Sequence, residues 1–374
     1  MRVRRLVVED IRSYERADLS LGPGLTAFVG GNGAGKTNLL EAVHLLARGE
    51  SPRARDDAEI VRWGATVARA SATVERAQDE RDERRVEMVL FAPPPGERRR
   101  PRRYLMDGAP KRADEVVGEI VVVAFFPEDV ELLAQAPSAR RRYLDAMIAQ
   151  VDRRHREETR EYQRVLEQRN ALLRALRNED RSREDELAFW DGELCRLAAA
   201  VSLRRIEAVR NLREAFREAS ERFSGDRTTD VAYTTPASGE TTLERAVAYR
   251  RLLEEKREKE LWQGATLVGP HREDLAVTVA GRDLPSSASR GEQRSAVLSL
   301  KLAEASWLEA RAGELPVFLL DDVLSELDPD RREKLIDALP SAAQAFVTSA
   351  LPAGLPRALA ERATVVPVSR GHVG

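Results

Sequence analysis

The sequence predicts an α/β fold interrupted by a helical insertion, on three observations. Short apolar segments of strand character fill residues 1–30 and return at 66–125 and from 274 onwards. A glycine-rich loop, Gly30 to Thr37, stands between one such segment and a run of helical period. From Ser138 to Phe223 the apolar spacing becomes helical and the polarity rises. At 374 residues the chain exceeds one typical domain, so two lobes are expected, at least one with a sizeable core.

In order along the chain, VRRLVVEDI and ADLSL read as strands, with a Gly-Pro-Gly turn at 22–24 before LTAFVG, a short buried strand ending in glycine. LLEAVHLLARG then carries helical spacing and stops at Gly49. VARASATVE, VEMVLF, RRYLMDG and EIVVVAFF are strand-like, and APPPGERRRP reads as an exposed turn. A first helical stripe runs through Leu144, Ile148, Val151, His155, Tyr162, Val165, Leu172 and Leu176. After the polar break NEDRSRED, a second uses Leu187, Trp190, Leu194, Leu197, Val201, Leu212, Phe216 and Phe223. Two long helices with a short connector are expected to pack as an antiparallel pair. Thr241-x-x-Glu244 is a capping box opening a helix to about Leu261. Strands are expected again at 274–279, 316–320, 345–348 and 364–368.

Composition removes several function classes. No apolar stretch approaches membrane-spanning length, and Glu9 and Asp10 end the first apolar run too early for a signal peptide. One cysteine, Cys195, excludes an intrachain disulfide and fits a reducing, cytoplasmic compartment. A formal charge of −2 means that any nucleic-acid contact needs a local basic patch. Charged residues at 33% suggest long solvated helical faces.

Gly30, four residues, Gly35, Lys36 and Thr37 fit G-x-x-x-x-G-K-[ST]. Glycines let the backbone of Gly30, Gly31, Asn32, Gly33, Ala34 and Gly35 curl so that N–H groups face phosphate oxygens. The helix start at Lys36, Thr37 and Asn38 adds its positive end. Lys36 can neutralise β/γ charge, and the Thr37 hydroxyl can ligate Mg2+. A strand before the loop and a helix after it are the context this reading of an ATP site requires. PVFLLDD then places Asp321 at a strand end, where it can hold Mg2+, with Asp322 beside the γ-phosphate to orient or deprotonate water. ASRGEQR, before the helix SAVLSLKLAEA, puts Ser289 and Gly291 at a second helix N-terminus, another anion site. SELD forms a short turn closing on Asp328 and Pro329.

This constellation resembles the ATP-binding heads of the ABC and SMC superfamily. Ala288-Ser289-Arg290-Gly291-Glu292 stands where those proteins have their signature, Asp321-Asp322 where they have Asp-Glu, and Ser325-Glu326-Leu327-Asp328 where they have the D-loop. TLVGPHREDL, SRGEQR with LSLKLAEA, LLDDVLSELD, FFPEDVELL with PSARRRYLD, and the IRSY-to-GNGAGKTNLLEA block together look like the RecF family of bacterial recombinational repair. The resemblance spans nearly the whole length, with only the helical insertion matching loosely.

It implies an ABC/SMC-type P-loop ATPase head with a helical, antiparallel coiled-coil-like arm. Residues 1–135 would form the N-terminal half of the head with the Walker A loop, 136–263 the arm, and 264–374 the C-terminal half with signature, Walker B and D-loop. It also implies an ATP-dependent homodimer in which Lys36 of one copy and Ser289 of the other embrace one nucleotide. Such dimers bind duplex and gapped DNA and, with RecO and RecR, help place RecA. Asp322 is one methylene shorter than the glutamate usual in an ABC head, so slow hydrolysis is expected, a weak DNA-dependent ATPase. No switch histidine follows the last core strand, where Thr348 and Ser349 offer only hydroxyls, and Glu128 stands where a Q-loop glutamine is expected.

For DNA, ERRRPRR is the densest basic run, and Arg98, Arg99, Arg100, Arg102 and Arg103 are the candidates against a chain-wide arginine bias. Arg140, Arg141 and Arg142 either meet phosphates or pack against the acidic PED segment. His271 lacks partners at metal-ligand spacing, and the resemblance implies a structural or interface role for Pro270, His271 and Arg272. Arg12 reads as a surface arginine or a nucleotide contact. The rival readings are a transporter ATPase subunit, disfavoured by the helical insertion and the missing histidine, and an SMC-like rod, for which the arm is short. A small-molecule kinase would have no use for the ASRGE helix.

Overall fold

The computed structural model describes residues 1–76, 79–92, 102–178, 184–225, 228–325, 327–350 and 361–373. Arg98, Arg99, Arg100 and Glu326 therefore lie outside the described residues. The chain divides into two compact units: residues 1–130, 222–225 and 294–374, and residues 131–221 with 226–293.

The first unit holds two six-stranded sheets. One is antiparallel, in the order Tyr14–Ser20, Arg2–Ile11, Val67–Arg76, Asp79–Phe91, Arg103–Met106, Ala109–Lys111. Along Arg2–Ile11 the buried residues are Val3, Leu6, Val8 and Ile11. A bulge between Val3 and Arg5 breaks the period of two and turns Arg4 and Arg5 both outward. The other sheet orders His372–Val373, Ala363–Ser369, Leu25–Val29, Ala345–Ser349, Val317–Leu320 and Val122–Phe125. All but the first of these are parallel. Every residue of its last three strands is buried, as strands covered on both faces require. The expected strands at 274–279, 316–320, 345–348 and 364–368 are all present within a residue. The register Leu320 to Val347 and Val347 to Ala27 brings three carboxyl ends to one edge, where α/β sheets bind ligands.

The second unit is built on the helices Pro137–Ala149, Arg153–Asn178, Glu184–Ser224 and Thr242–Gln263. The first stripe is two helices rather than one. Asp152 accepts from the His155 backbone N–H at 2.9 Å and starts a new helix after the break. The two long helices are antiparallel: Arg169 meets Asp191 while the earlier Glu158 meets the later Arg204. Tyr162, Val165 and Leu166 pack with Leu194, Leu197, Ala198 and Val201, closed by Tyr249 and Leu253. Thr241 caps the fourth helix through the expected capping box, and Gly264 ends it in the left-handed conformation.

This unit extends to Gln293, past the expected boundary at 263, because the strand Asp274–Val279 pairs with Thr229–Thr234 inside it. The latter strand was not expected from the sequence, though Val231 and Tyr233 keep a strand period. Some arm charges are also buried rather than solvated. Arg169 is fully buried, bonded to Asp191, Glu260 and Thr266 at 2.7 to 2.8 Å. Among the described residues no helix is long and apolar enough to cross a membrane.

Candidate functional site

The glycine loop leaves the strand Leu25–Val29 and enters the helix Lys36–Arg48. Two of its glycines are required by space. A Cβ on Gly30 would lie 2.0 Å from the Val368 carbonyl oxygen, and Gly35, at φ 110, would bring one within 2.8 Å of the Ser13 hydroxyl. Gly31, Asn32 and Gly33 are exposed, so the loop's rim is open to a ligand. Lys36 Nζ donates to the Gly30 and Gly31 carbonyls at 2.7 and 2.9 Å. The ammonium is thus folded over its own loop, in reach of whatever anion the loop holds. Asn38 donates to the Ser13 hydroxyl at 3.0 Å.

Beneath the loop, the Thr37 hydroxyl donates to Asp321 Oδ1 at 2.8 Å, and the Thr348 hydroxyl donates to the same oxygen at 2.9 Å. Thr348 also accepts the Asp322 backbone N–H at 2.8 Å. Asp321 is 2% exposed and has no ion-pair partner among the described residues; burial pushes its carboxyl up from the ordinary range. A buried carboxylate with hydroxyl partners and no ion-paired cation among the described residues fits a site completed by a metal ion. Mg2+ typically uses one or two protein groups and takes its other ligands from phosphates and water. Thr37 and Asp321 would hold it, and the ion would neutralise phosphate charge. Asp322 is exposed and sits at φ 50, a left-handed conformation that Asp tolerates better than most side chains. The Ser325 N–H and hydroxyl both bond its carbonyl, at 3.1 and 2.8 Å, fixing that turn.

Ser289 is exposed at the start of the helix Arg290–Ala312. Its N–H donates to Glu292 Oε2 at 2.7 Å, and its hydroxyl accepts the Glu292 N–H at 3.3 Å, a reciprocal cap. Arg290 is exposed and Gly291 half-buried beside it. Asp328 caps the helix Pro329–Ala338 by accepting from Arg331 N at 2.9 Å, and pairs with Arg331 Nη1 at 2.5 Å.

Two residues around the loop, Glu41 and Tyr14, went unforeseen. Glu41, 1% exposed, binds Arg12 and Arg53 at 2.7 and 2.5 Å and accepts from Ser51 at 2.5 Å. Burial opposes its charge, yet the arginines and Ser51 outweigh that and hold its carboxyl low. Arg12 is therefore neither a free surface side chain nor pointed solely at a ligand. Tyr14 is buried, with its hydroxyl donating to the Gly35 carbonyl at 3.1 Å. Thr348, noted from the sequence only as a hydroxyl where a switch histidine is missing, supports both acids. Glu128 is exposed in the turn Pro127–Glu131, and Ser349 accepts the Gly30 N–H through its carbonyl at 3.2 Å.

Of the basic candidates, Arg102 is held by Asp57 at 2.5 Å and by the Gly49 carbonyl, while Arg103 is exposed over the Phe91 ring. Arg140 pairs with Asp274, and Arg141 donates to the Glu273 carbonyl at 2.7 Å. His271 is structural in geometry. Its Nδ1 and the Tyr162 hydroxyl are 2.6 Å apart, and Nε2 lies 3.1 Å from the Thr266 carbonyl. Because that carbonyl only accepts, Nε2 carries the proton and Nδ1 accepts from Tyr162.

Fold and site define a P-loop ATPase head of the ABC and SMC type. The family described as RecF/RecN/SMC N terminal domain matches residues 2–370. A DNA replication and repair protein RecF from Roseiflexus castenholzii is 40% identical over 372 residues, covering 94% of this chain and 93% of that one. The solved structure of the recombination mediator protein RecF with ATP in the RecFOR pathway superposes with a TM-score of 0.88 at 28% identity, over 100% and 96% of the two chains. An SMC head bound to the C-winged helix domain of ScpA shares the fold alone, with a TM-score of 0.53 at 14% identity over 100% and 97%. The chain belongs to the RecF family of DNA replication and repair proteins.

Proposed function

We propose that this chain is an ATP-gated DNA-binding protein of recombinational repair, acting as a homodimer that closes on two nucleotides. The observation that carries the reading is the Thr37–Asp321 pair at 2.8 Å under a glycine loop whose lysine folds over it. The relative solved with ATP supports ATP as the nucleotide. Gly30 to Asn38 hold its phosphates, Thr37 and Asp321 a Mg2+ ion, and Asp322 positions water. Ser289, Arg290, Gly291 and Glu292 of the second copy cap the same nucleotide from an exposed helix start, with Asp328 in the adjoining turn. Duplex and gapped DNA are held through phosphates, with Arg103 among the contacts. RecR is the direct partner, with RecO and RecA in the pathway, and slow hydrolysis releases the DNA.

Sedimentation with and without ATP on the wild type, Lys36→Met and Ser289→Arg tests this. The wild type dimerises with ATP while each variant alone stays monomeric. Dimerisation of Ser289→Arg as readily as the wild type rules out the shared site.

A further inference from the structure

The last strands of the chain do more than extend the parallel sheet. Ala363–Ser369 lies beside Leu25–Val29, with Pro367 in register with Val29, so its end runs alongside the start of the glycine loop. There the Val368 carbonyl fills the space that a Cβ on Gly30 would need. The chain turns back at Arg370 and Gly371, both with positive φ, and the Gly371 N–H donates to the Ala34 carbonyl at 3.0 Å. Gly371 is itself irreplaceable by space: a Cβ would stand 2.2 Å from the Ser13 carbonyl oxygen.

In a trans peptide the C=O and the following N–H point in opposite directions. A bond that draws the Ala34 carbonyl towards the C-terminal turn therefore aims the Gly35 N–H the other way. The next peptide is held alike: the Gly35 carbonyl accepts the Tyr14 hydroxyl at 3.1 Å beside the Asn38 N–H of the helix's first turn at 3.0 Å, and so the Lys36 N–H is turned. Two successive amides are oriented from outside the loop, one by the C-terminal turn and one by Tyr14. Successive amides pointing to one side are what an anion-binding loop needs.

We propose that the C-terminal hairpin is a positioning element for the phosphate loop, with Gly371 and Tyr14 as its two holding points. They touch no substrate; they fix the direction of the Gly35 and Lys36 amides before phosphate arrives. This rests on the reading of the loop as a nucleotide site.

Binding of ATP and of inorganic triphosphate, each with Mg2+, is measured by calorimetry. The proteins are the full chain, Tyr14→Phe, Gly371→Ala and a chain ending at Ser369, at a temperature where all keep wild-type circular dichroism. Each variant is expected to lose affinity about five- to tenfold for both ligands, as the loss of one hydrogen bond implies. Tyr14→Phe keeps the buried ring, so its loss cannot be ascribed to misfolding. Wild-type affinity in Tyr14→Phe and the shortened chain overturns the proposal. A loss for ATP with triphosphate binding unchanged also overturns it, because the hairpin would then act on the nucleoside. If the full chain binds neither ligand, the nucleotide reading itself fails, and this inference with it.

Discussion

Thr37 and Thr348 donate to the same oxygen of Asp321, from 2.8 and 2.9 Å, although one is brought by the helix Lys36–Arg48 and the other by the strand Ala345–Ser349. Among the described residues the carboxylate's hydrogen-bond partners are these two hydroxyls, and one of them can leave when a metal ion arrives.

Thr348→Val removes a donor to Asp321 and the acceptor of the Asp322 N–H, with nearly unchanged volume. The expected cost is about 1–3 kcal/mol of unfolding free energy, read from urea titration. Nucleotide turnover falls as well, because the turn bearing Asp322 loses its support. Wild-type stability in this variant contradicts the arrangement.

Asp322→Asn keeps the shape of the turn and its tolerance of the left-handed conformation. ATP affinity is expected to stay within about twofold while single-turnover hydrolysis drops by ~100-fold, the size of a general-base contribution. A parallel loss of binding would place Asp322 in holding the nucleotide instead.

Two buried histidines are expected to make the fold less stable in acid. Burial holds the His44 imidazole down at about 3 and that of His271 at about 4, against an ordinary value of 6.5. Between those values and 6.5 the unfolded chain binds protons that the folded chain does not, so stability falls as pH drops through that window and is level above about pH 7. For His271 the full effect is at most about 3 kcal/mol. His271→Gln preserves an acceptor for Tyr162 and a donor to Thr266, and is expected to flatten the dependence of melting temperature between pH 6.5 and 4. An unchanged slope assigns the lability elsewhere.

Arg169 is fully buried between Asp191 and Glu260. Arg169→Met takes the ion partner from buried Glu260, while Arg257 still holds Asp191 at 2.6 Å, and is expected to cost about 3–5 kcal/mol by urea titration. Adding Glu260→Gln is expected to recover part of that loss. A double variant no better than the single one shows that the pair is not coupled.

The site was legible where its parts are local. A strand, six residues of loop and a helix identify the phosphate site without any tertiary knowledge, and an acid pair after VFLL marks the strand end beside it. What escaped was contributed from afar. Tyr14 and Thr348 are ordinary strand residues until folding sets them against Gly35 and Asp321. Gly371 is one glycine among many until Ser13 is brought against it. Arginine was the least legible type: Arg102, Arg140 and Arg169 look like surface cations, and each is engaged by carboxylates distant in sequence. Helix periodicity also ran through the break at 150–152, because the capping Asp152 leaves the apolar spacing nearly undisturbed.

Along the arm, partners climb one helix as they descend the other, from Glu158 with Arg204 to Arg169 with Asp191. Matched insertions of about seven residues on both sides of the connector would preserve every pairing below them. A stubby hairpin and a far-reaching rod are then close neighbours in evolution, separated by paired duplications that the nucleotide-binding core would never feel.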